Sequence, residues 1–304
     1  MTGNGGAAIV AEDLRKAYGD LKAVDGVSFS VLEGEFFGIL GPNGAGKTTT
    51  LEIVEGLRKP DGGRVRLLGQ EPWPRKLDLL PRIGVQLQAS SFFEKLTTRE
   101  QLQTFGSLYG VGAARVDEML ELVGLADKAG TREGQLSGGQ RQRLSIACAL
   151  VHDPDIVFLD EPTAALDPQA RRNLWDVLRA IQDRGKTILY TTHYLDEAEI
   201  LCDRVAIMDH GRILAMDAPA TLVRGLDAPT HVLLEPGALP VDAAHALPGA
   251  ESVSADDVSL SISTREPARL LGALAERGSL GGLQVRTATL EDVFLQLTGR
   301  EYRA

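Results

Sequence analysis

Hydrophobic and polar positions along the chain predict strands first and helices afterwards. Short alternating apolar stretches, broken by glycines, extend from residue 9 to about residue 40, and the last of them, Phe36–Leu40, is apolar throughout. Such a run is typical of a buried strand, and here it ends in a glycine-rich loop followed by helical spacing over residues 48–56. From about residue 82 to residue 135 the spacing is helical, and Thr97 and Glu100 form a capping-box sequence at the start of one helix.

Helices and strands alternate further along the chain. The predicted helices cover residues 114–123, 139–152, 168–184 and 195–202, and the predicted strands cover residues 156–159 and 187–190. Alternation of this kind favours an α/β fold, in which a mostly parallel sheet is covered by helices on both faces.

The composition changes after about residue 224, where alanine, glycine, proline and aspartate become frequent. Short predicted strands alternate there with helices over residues 267–277 and 290–297, which predicts a small α+β domain. The last helix places Leu290, Val293, Phe294 and Leu297 on one apolar stripe. We therefore expect a first domain over residues 1–223, with a helical subdomain at about 89–150, and a C-terminal accessory domain over 224–304.

Charge and cysteine content narrow the function classes. The 42 acidic residues exceed the 32 basic ones, and arginine and lysine are scattered rather than gathered into the basic stripe of a nucleic-acid binder. Two cysteines, Cys148 and Cys202, are too few for a secreted disulfide framework and predict reduced thiols. No stretch approaches the ~20 apolar residues of a membrane span, and the first residues lack a signal-peptide pattern. In a membrane process, another polypeptide is expected to supply the membrane spans.

A phosphate-binding loop follows the strand Phe36–Leu40. The sequence from Gly41 to Thr48 has the pattern G-x-x-x-x-G-K-[ST] between a predicted strand and a predicted helix. Glycines let the backbone turn its N–H groups toward phosphate oxygens, and the helix N-terminus adds its positive dipole. Lys47 is expected to contact the β and γ phosphates, and the Thr48 hydroxyl to ligate Mg²⁺. The candidate nucleotide-binding residues here are Gly41, Pro42, Asn43, Gly44, Ala45, Gly46, Lys47, Thr48 and Thr49.

Two carboxylates end the strand predicted over residues 156–159. Asp160 and Glu161 follow this strand, which delivers them to the carboxyl edge of the sheet, where α/β folds bind ligands. We expect Asp160 to hold Mg²⁺ through water and Glu161 to polarise the attacking water molecule. Beside a phosphate loop, this pair predicts hydrolysis in addition to binding.

A third motif, Leu-Ser-Gly-Gly-Gln at residues 136–140, opens the helix predicted over 139–152. Its serine hydroxyl and glycine N–H groups are suited to an anion. The phosphate loop, this motif and the acidic strand end follow one another in that order, and the constellation resembles the ATP-binding cassette (ABC) ATPases over roughly residues 9–221. The resemblance implies the P-loop NTPase fold, with ATP and Mg²⁺ as ligands. It also implies that the motif binds nucleotide through Ser137, Gly138, Gly139 and Gln140.

Further residues take roles from their positions in the family pattern. Tyr18 looks like the aromatic residue that stacks on adenine. Gln88 is similar to the glutamine that reaches Mg²⁺ and the attacking water, with Gln86 as the alternative two residues earlier. His193, after a predicted strand, is similar to the histidine that senses the γ-phosphate. With Glu161, the resemblance therefore assigns Gln88 and His193 to catalysis and Thr48, Gln88 and Asp160 to the metal.

The resemblance also implies a dimer. In the family, the Leu-Ser-Gly-Gly-Gln motif of one subunit closes on the ATP held by the phosphate loop of the other. This chain has one copy of each motif, so two chains are expected to sandwich two ATP molecules. Residues 165–167 resemble the loop that communicates across that dimer, although alanine stands at 164 and 165 where the family usually has a serine.

Transport is the favoured role among three that remain open. The alternatives are a soluble ABC protein acting on ribosomes or DNA, and a regulatory module that hydrolyses little ATP. This chain has neither the paired cassettes of ribosomal members nor the long coiled coils of DNA-repair members, and Glu161 and His193 argue against an inactive ATPase.

The last helix of the chain and the residues after it predict export. Residues 290–299 resemble the ending of bacterial drug-resistance exporters of the daunorubicin type, whose membrane subunit is a separate protein. The resemblance implies export of drugs or other small hydrophobic compounds, a separate membrane-spanning permease as partner, and no nucleic-acid partner. The expected location is cytoplasmic, at the inner face of the cell membrane through the permease.

Overall fold

The computed structural model describes residues 6–86 and 92–299, which divide into two compact units between Pro219 and Ala220. The strands of the first unit are β1 (Ala7–Tyr18), β2 (Leu21–Leu32), β3 (Phe36–Leu40), β4 (Gly62–Leu67), β5 (Ile83–Gln86), β6 (Ile156–Asp160), β7 (Thr187–Thr192), β8 (Arg204–Asp209) and β9 (Arg212–Asp217). Its helices are α1 (Lys47–Val54), α2 (Thr98–Ser107), α3 (Ala113–Leu122), α4 (Gly138–Leu150), α5 (Pro168–Asp183) and α6 (Leu195–Leu201), and α7 (Pro219–Arg224) begins at the boundary.

A six-stranded sheet forms the centre of the first unit. Its strand order is β5-β6-β7-β3-β8-β9, in which neighbours are parallel except for the last pair. The prediction of a mostly parallel sheet is confirmed. Because β3, β6 and β7 run in the same direction, their carboxyl ends meet at one edge, and this edge carries the phosphate loop, Asp160 and the end of β7.

Successive residues of the central strands enter two different cores. Phe37, Phe158 and Leu189 face the core shared with α1 and a three-stranded antiparallel sheet of order β2-β1-β4. Phe36 and Tyr190 face the opposite core, which contains the apolar residues of α2, α3, α4 and α5. Side chains alternate across a strand, so burial on both faces requires a fully apolar strand. All five residues of β3 are buried accordingly.

The helices α2, α3 and α4 lie where the helical subdomain is expected. Thr97 caps α2, since its side chain accepts a hydrogen bond from the Glu100 N–H at 3.3 Å and the Glu100 carboxylate accepts one from the Thr97 N–H at 2.8 Å. The predicted capping box is therefore confirmed. The helical spacing assigned from residue 82 is wrong for Ile83–Gln86, which forms β5 beside β6. A short apolar run of this length does not distinguish a strand from a helix without knowledge of its neighbours.

The second unit is a small α+β fold of its own. Its elements are β10 (Thr230–Leu234), α8 (Val241–His245), β11 (Ser252–Ala255), β12 (Leu260–Thr264), α9 (Pro267–Glu276), β13 (Gln284–Arg286) and α10 (Leu290–Thr298). The antiparallel sheet has the order β11-β12-β10-β13, which is the split β-α-β arrangement of ferredoxin-like folds. Val232, Ile262, Leu270 and Leu274 belong to its core.

No helix within residues 6–86 and 92–299 is long and apolar enough to cross a membrane. Cys202 is buried, and Cys148 is partly buried and packed against the helical core. Burial raises the pKa of both thiols, so they stay protonated and unreactive at neutral pH.

Candidate nucleotide site

The phosphate loop connects β3 to α1 in a conformation that depends on glycine. Gly46, directly before the helix, has a φ of 103°, and a Cβ there would lie 2.1 Å from the Ala23 carbonyl oxygen. A Cβ on Gly41 would lie 2.2 Å from the Met208 carbonyl oxygen. Both positions therefore exclude a side chain, and the close packing holds the loop above the first turn of α1. The free N–H groups of that turn form an anion-binding end.

Lys47 places its ammonium inside this loop. The side chain is only 4% exposed, and its Nζ donates hydrogen bonds to the carbonyl oxygens of Gly41 at 2.8 Å and Pro42 at 3.2 Å. The Nζ also pairs with Glu161 Oε1 at 2.9 Å. A buried cation held by carbonyls and one carboxylate fits the charge of a nucleotide phosphate, because phosphate oxygens can replace that carboxylate.

Asp160 and Thr48 meet beneath the loop. Asp160 Oδ1 accepts hydrogen bonds from Thr48 Oγ1 at 3.3 Å and from the Thr191 hydroxyl. Burial raises the pKa of Asp160, although the hydrogen bonds from both threonines act in the opposite direction. A nearby divalent cation favours the ionised carboxylate. A carboxylate and a hydroxyl oxygen are ligands that Mg²⁺ prefers, so the two residues fit the predicted metal position.

Glu161 lies between Lys47 and His193. Its backbone has a φ of 46°, and its N–H donates to the carbonyl and hydroxyl oxygens of Thr191, which fixes the residue in this strained conformation. Glu161 Oε2 lies 2.9 Å from His193 Nδ1. Burial raises the pKa of Glu161, but the hydrogen bond and charge of Lys47, with those of His193, outweigh it and lower the pKa. The carboxylate is therefore ionised at neutral pH and can accept a proton.

Tyr18 lies at the end of β1 with 43% of its surface exposed. The Nζ of Lys16 lies 5.8 Å from the centre of its ring, and the guanidinium carbon of Arg58 lies 5.4 Å from it. A partly exposed ring beside two cations can accept a flat base, since a base can stack on the open side.

The Leu-Ser-Gly-Gly-Gln motif opens α4. Ser137 is the N-cap, its hydroxyl accepts from the Gln140 N–H at 3.3 Å, and the Gln140 side chain accepts from the Ser137 N–H at 2.8 Å. A Cβ on Gly139 would lie 2.9 Å from Ala170 Cβ, so this glycine lets α4 approach α5. The exposed Ser137 and Gly138 leave the helix end open to a ligand outside the chain.

Gln88 lies outside the residues that the structure describes. Gln86, the alternative, is the last residue of β5 and is 2% exposed. The structure thus brings together five of the predicted residues by direct contacts: Lys47, Thr48, Asp160, Glu161 and His193. Thr191 also enters the site, although sequence reasoning did not single it out. The sequence signal that could have identified Thr191 is its position as a hydroxyl residue near the end of a predicted buried strand.

Comparisons with known proteins agree with this geometry. The profile of the ABC transporter family matches residues 24–164. The chain is 44% identical over 303 residues to the Nod factor export ATP-binding protein I of Paraburkholderia xenovorans (strain LB400), covering 97% of this chain and 98% of that protein. It is 40% identical over 299 residues to the protein of the same name from Rhizobium sp. (strain N33), with 97% and 98% covered.

Solved structures of ATP-binding cassettes resemble this chain over about 70% of its length. The structure of cbiO1 from Clostridium perfringens, part of the ABC transporter complex cbiONQ, has a TM-score of 0.65 and 28% identity, covering 72% of this chain and 94% of that one. The ADP conformation of another ATP-binding cassette of an ABC transporter has a TM-score of 0.64 and 27% identity, covering 70% and 91%. The chain belongs to the ABC transporter family as an ATP-binding subunit, a P-loop ATPase that uses ATP and Mg²⁺ and couples hydrolysis to transport.

Proposed function

We propose that this chain powers an exporter whose membrane-spanning permease is a separate protein. The observation that carries the proposal is the 44% identity to a Nod factor export ATP-binding protein over 97% of this chain, a span that reaches into the second unit as well as the first. Docked on the permease, the chain would lie at the cytoplasmic face of the cell membrane. The cargo belongs to the class of drugs or other small hydrophobic compounds, and the permease selects it.

The contacts within the site support a division of roles. Lys47 and backbone N–H groups of the phosphate loop and the first turn of α1 would hold the phosphates, while Thr48 and Asp160 would hold Mg²⁺, which would supply charge neutralisation. A γ-phosphate competes with Glu161 for the Lys47 ammonium, because both anions need the same donor. Once released, the Glu161 carboxylate accepts a proton from the attacking water. His193 stays beside it, in hydrogen-bond contact through Nδ1, and orients toward the γ-phosphate.

Two copies of the chain complete the reaction in this proposal. The open end of α4 at Ser137 and Gly138 meets the ATP held by the phosphate loop of the other copy. ATP then stabilises the closed pair because it contacts both chains, and hydrolysis removes that stabilisation. Tyr18 stacks on adenine at the edge of each site.

Transport in inverted membrane vesicles tests the direction. The chain and a candidate permease that copurifies with it are produced together, and vesicles with the cytoplasmic face outward are given ATP and labelled daunorubicin. An exporter accumulates label inside the vesicles, and vesicles carrying the Glu161→Gln variant do not. ATP-dependent accumulation of the compound only in vesicles of the opposite orientation would contradict export. If neither orientation accumulates daunorubicin, stimulation of ATPase activity by a panel of amphiphiles is measured on the same vesicles, and a panel without effect contradicts the cargo class.

A further inference from the structure

A buried polar network joins α5 and α6 behind His193. Glu197, on α6, is fully buried, and its Oε2 accepts hydrogen bonds from Tyr190 Oη and Thr192 Oγ1, each at 2.6 Å. Burial and the Glu197 carboxylate raise the pKa of Tyr190, so the phenol stays protonated and donates. Thr192 Oγ1 in turn accepts a hydrogen bond from the Tyr194 N–H at 2.9 Å. One carboxylate therefore fixes the backbone on both sides of His193.

The other oxygen of Glu197 faces Arg171. Glu197 Oε1 and Arg171 Nε are 3.7 Å apart, and each is buried without a hydrogen-bond partner among the described residues. This separation is too long for a hydrogen bond, and a buried unsatisfied polar atom costs free energy. Arg171 lies in the first turn of α5, where its N–H donates to the carbonyl of Asp167, the N-cap residue.

Arg171 also holds the residue next to the histidine. Its guanidinium carbon lies 3.8 Å from the centre of the Tyr194 ring, and the Tyr194 ring centre lies 4.1 Å from that of His193. His193 Nδ1 contacts Glu161 Oε2 at 2.9 Å. The contacts thus run without a gap from Arg171 through Tyr194 and His193 to the carboxylate of Glu161.

We propose that Arg171 and Glu197 are positioning residues that hold His193 in its orientation toward Glu161. Arg171 acts through its stack on Tyr194, and Glu197 acts through Thr192 and Tyr190. Because Arg171 sits one turn after Asp167, this pair links the start of α5 to the histidine. The proposal rests on the role of His193 given under the proposed function.

Steady-state and single-turnover ATPase assays of the full chain test whether Arg171 and Glu197 position His193. Arg171→Lys keeps the charge but loses the planar stack, and Glu197→Gln keeps the size but loses the charge. We expect each to lower kcat by about tenfold to a hundredfold, as small displacements of catalytic groups do, with less than about a twofold change in the KM for ATP. The neighbouring Arg172→Lys is the matched control, because Arg172 is exposed and should leave kcat unchanged.

A second mutation separates positioning from a general structural effect. In a His193→Ala background, Arg171→Lys should cause no further loss of single-turnover rate, since the group that it positions is gone. An additional tenfold loss in that background would overturn the proposal. So would wild-type kcat in both single variants. If His193→Ala itself turns over normally, the proposed role of His193 fails, and this result is distinct from a failure of Arg171 and Glu197.

Tyr194 provides an independent variant should Arg171→Lys fail to fold. Tyr194→Phe keeps the ring on which Arg171 stacks and should keep wild-type kcat. Tyr194→Ala removes the ring and should reproduce the loss expected for Arg171→Lys. Equal activity in Tyr194→Phe and Tyr194→Ala would contradict the proposal, because the ring is the only contact through which Arg171 is proposed to reach the histidine.

Discussion

At the scale of single residues, two adjacent carboxylates at the end of β6 differ in their electrostatic surroundings. Burial dominates for Asp160 and raises its pKa, whereas for Glu161 burial is outweighed by the contacts with Lys47 and His193 together, which lower its pKa. Because β6 ends at Asp160 and the chain turns at Glu161, the two side chains reach different neighbours. Two acids adjacent in the sequence therefore differ in the pH range over which each ionises.

Replacing Glu161 by glutamine should separate binding from hydrolysis. We expect Glu161→Gln to retain ATP binding and to slow turnover by roughly 10²–10⁴-fold, the usual contribution of a positioned base. The variant should accumulate as an ATP-bound dimer in size-exclusion chromatography. Asp176→Asn, on the exposed side of α5, is the control and should turn over normally. Turnover near wild type in Glu161→Gln would show that another group activates the water.

Glu55, at the end of α1, should make the stability of the protein depend on pH. Its side chain is 3% exposed, its Oε2 has no hydrogen-bond partner within the described residues, and burial with the charges of Asp160 and Glu52 raises its pKa to about 8. Between its ordinary pKa of 4.5 and about 8, the folded state holds a proton that the unfolded state releases. The free energy of unfolding therefore falls as the pH rises through this window and levels off above it.

The Glu55→Gln variant should remove this dependence. Glutamine is neutral at every pH, so the stability of the variant relative to wild type should increase by roughly 2 kcal/mol between pH 6 and pH 8. Urea unfolding at several pH values measures the difference. Glu121→Gln changes an exposed carboxylate on α3 that is not among the groups acting on Glu55, and it should show no such widening. A constant difference between Glu55→Gln and wild type across these pH values would contradict a protonated Glu55.

At the scale of elements, the segment before α2 presents two aromatic rings in different surroundings. Phe92 packs against the helical core, whereas Phe93 is 55% exposed. The Phe93 N–H donates to Gln101 Oε1 at 3.3 Å, and its carbonyl accepts from Gln101 Nε2 at 2.6 Å. The backbone of Phe93 is thus fixed on α2 while its ring stays at the surface, which is the arrangement of a contact residue.

We expect Phe93→Ser to reduce copurification of the permease while sparing the ATPase activity of the isolated chain. Phe92→Ser is the matched comparison, and it should lower the melting temperature because it removes a ring packed against the core. Affinity purification of the coexpressed pair and thermal unfolding of each variant measure the two effects. Normal copurification with Phe93→Ser would place the permease contact elsewhere.

At the scale of the whole molecule, the nucleotide contacts and the second unit are separate in sequence. The partners of Lys47, Asp160 and Glu161 in the site, which include Thr48, Thr191 and His193, lie before Pro219 in the chain. The second unit has its own sheet and its own apolar core. We therefore propose that it is dispensable for ATP binding and serves dimer stability or regulation.

Ending the chain after Leu226 should leave the affinity for ATP similar to that of the full chain. With Glu161→Gln present, the shortened chain should form the ATP-bound dimer less readily, as measured by size-exclusion chromatography. Leu295 and Leu297, on α10, are 43% and 41% exposed, and replacing both with aspartate should copy the defect if they contact a partner. Phe294→Asp serves as the contrast, since Phe294 is 1% exposed and the change should destabilise the fold. Unchanged dimerisation in the shortened chain would contradict a dimer role, and loss of folding would show that the units depend on each other.

The sequence by itself determined the motifs and the elements that carry them. The glycine-rich turn before a helix, the capping box at Thr97 and the apolar run that ends in two carboxylates each depend on residues close together in the chain. Each could therefore be predicted from the local sequence. The parallel sheet followed from the alternation of helices and strands, and the α+β character of the second unit followed from its short strands and two helices after the change in composition.

Only the tertiary structure decided which distant residues meet. The pairing of Lys47 with Glu161, the hydrogen bond of Thr191 to Asp160, and the network of Arg171 with Glu197 join parts of the chain that lie from 26 to 114 residues apart. The antiparallel sheet of β1, β2 and β4 and the placement of β5 likewise depend on which strands become neighbours. Contacts of this kind come from the packing of whole elements against shared cores, and a local pattern of residues contains no information on that packing.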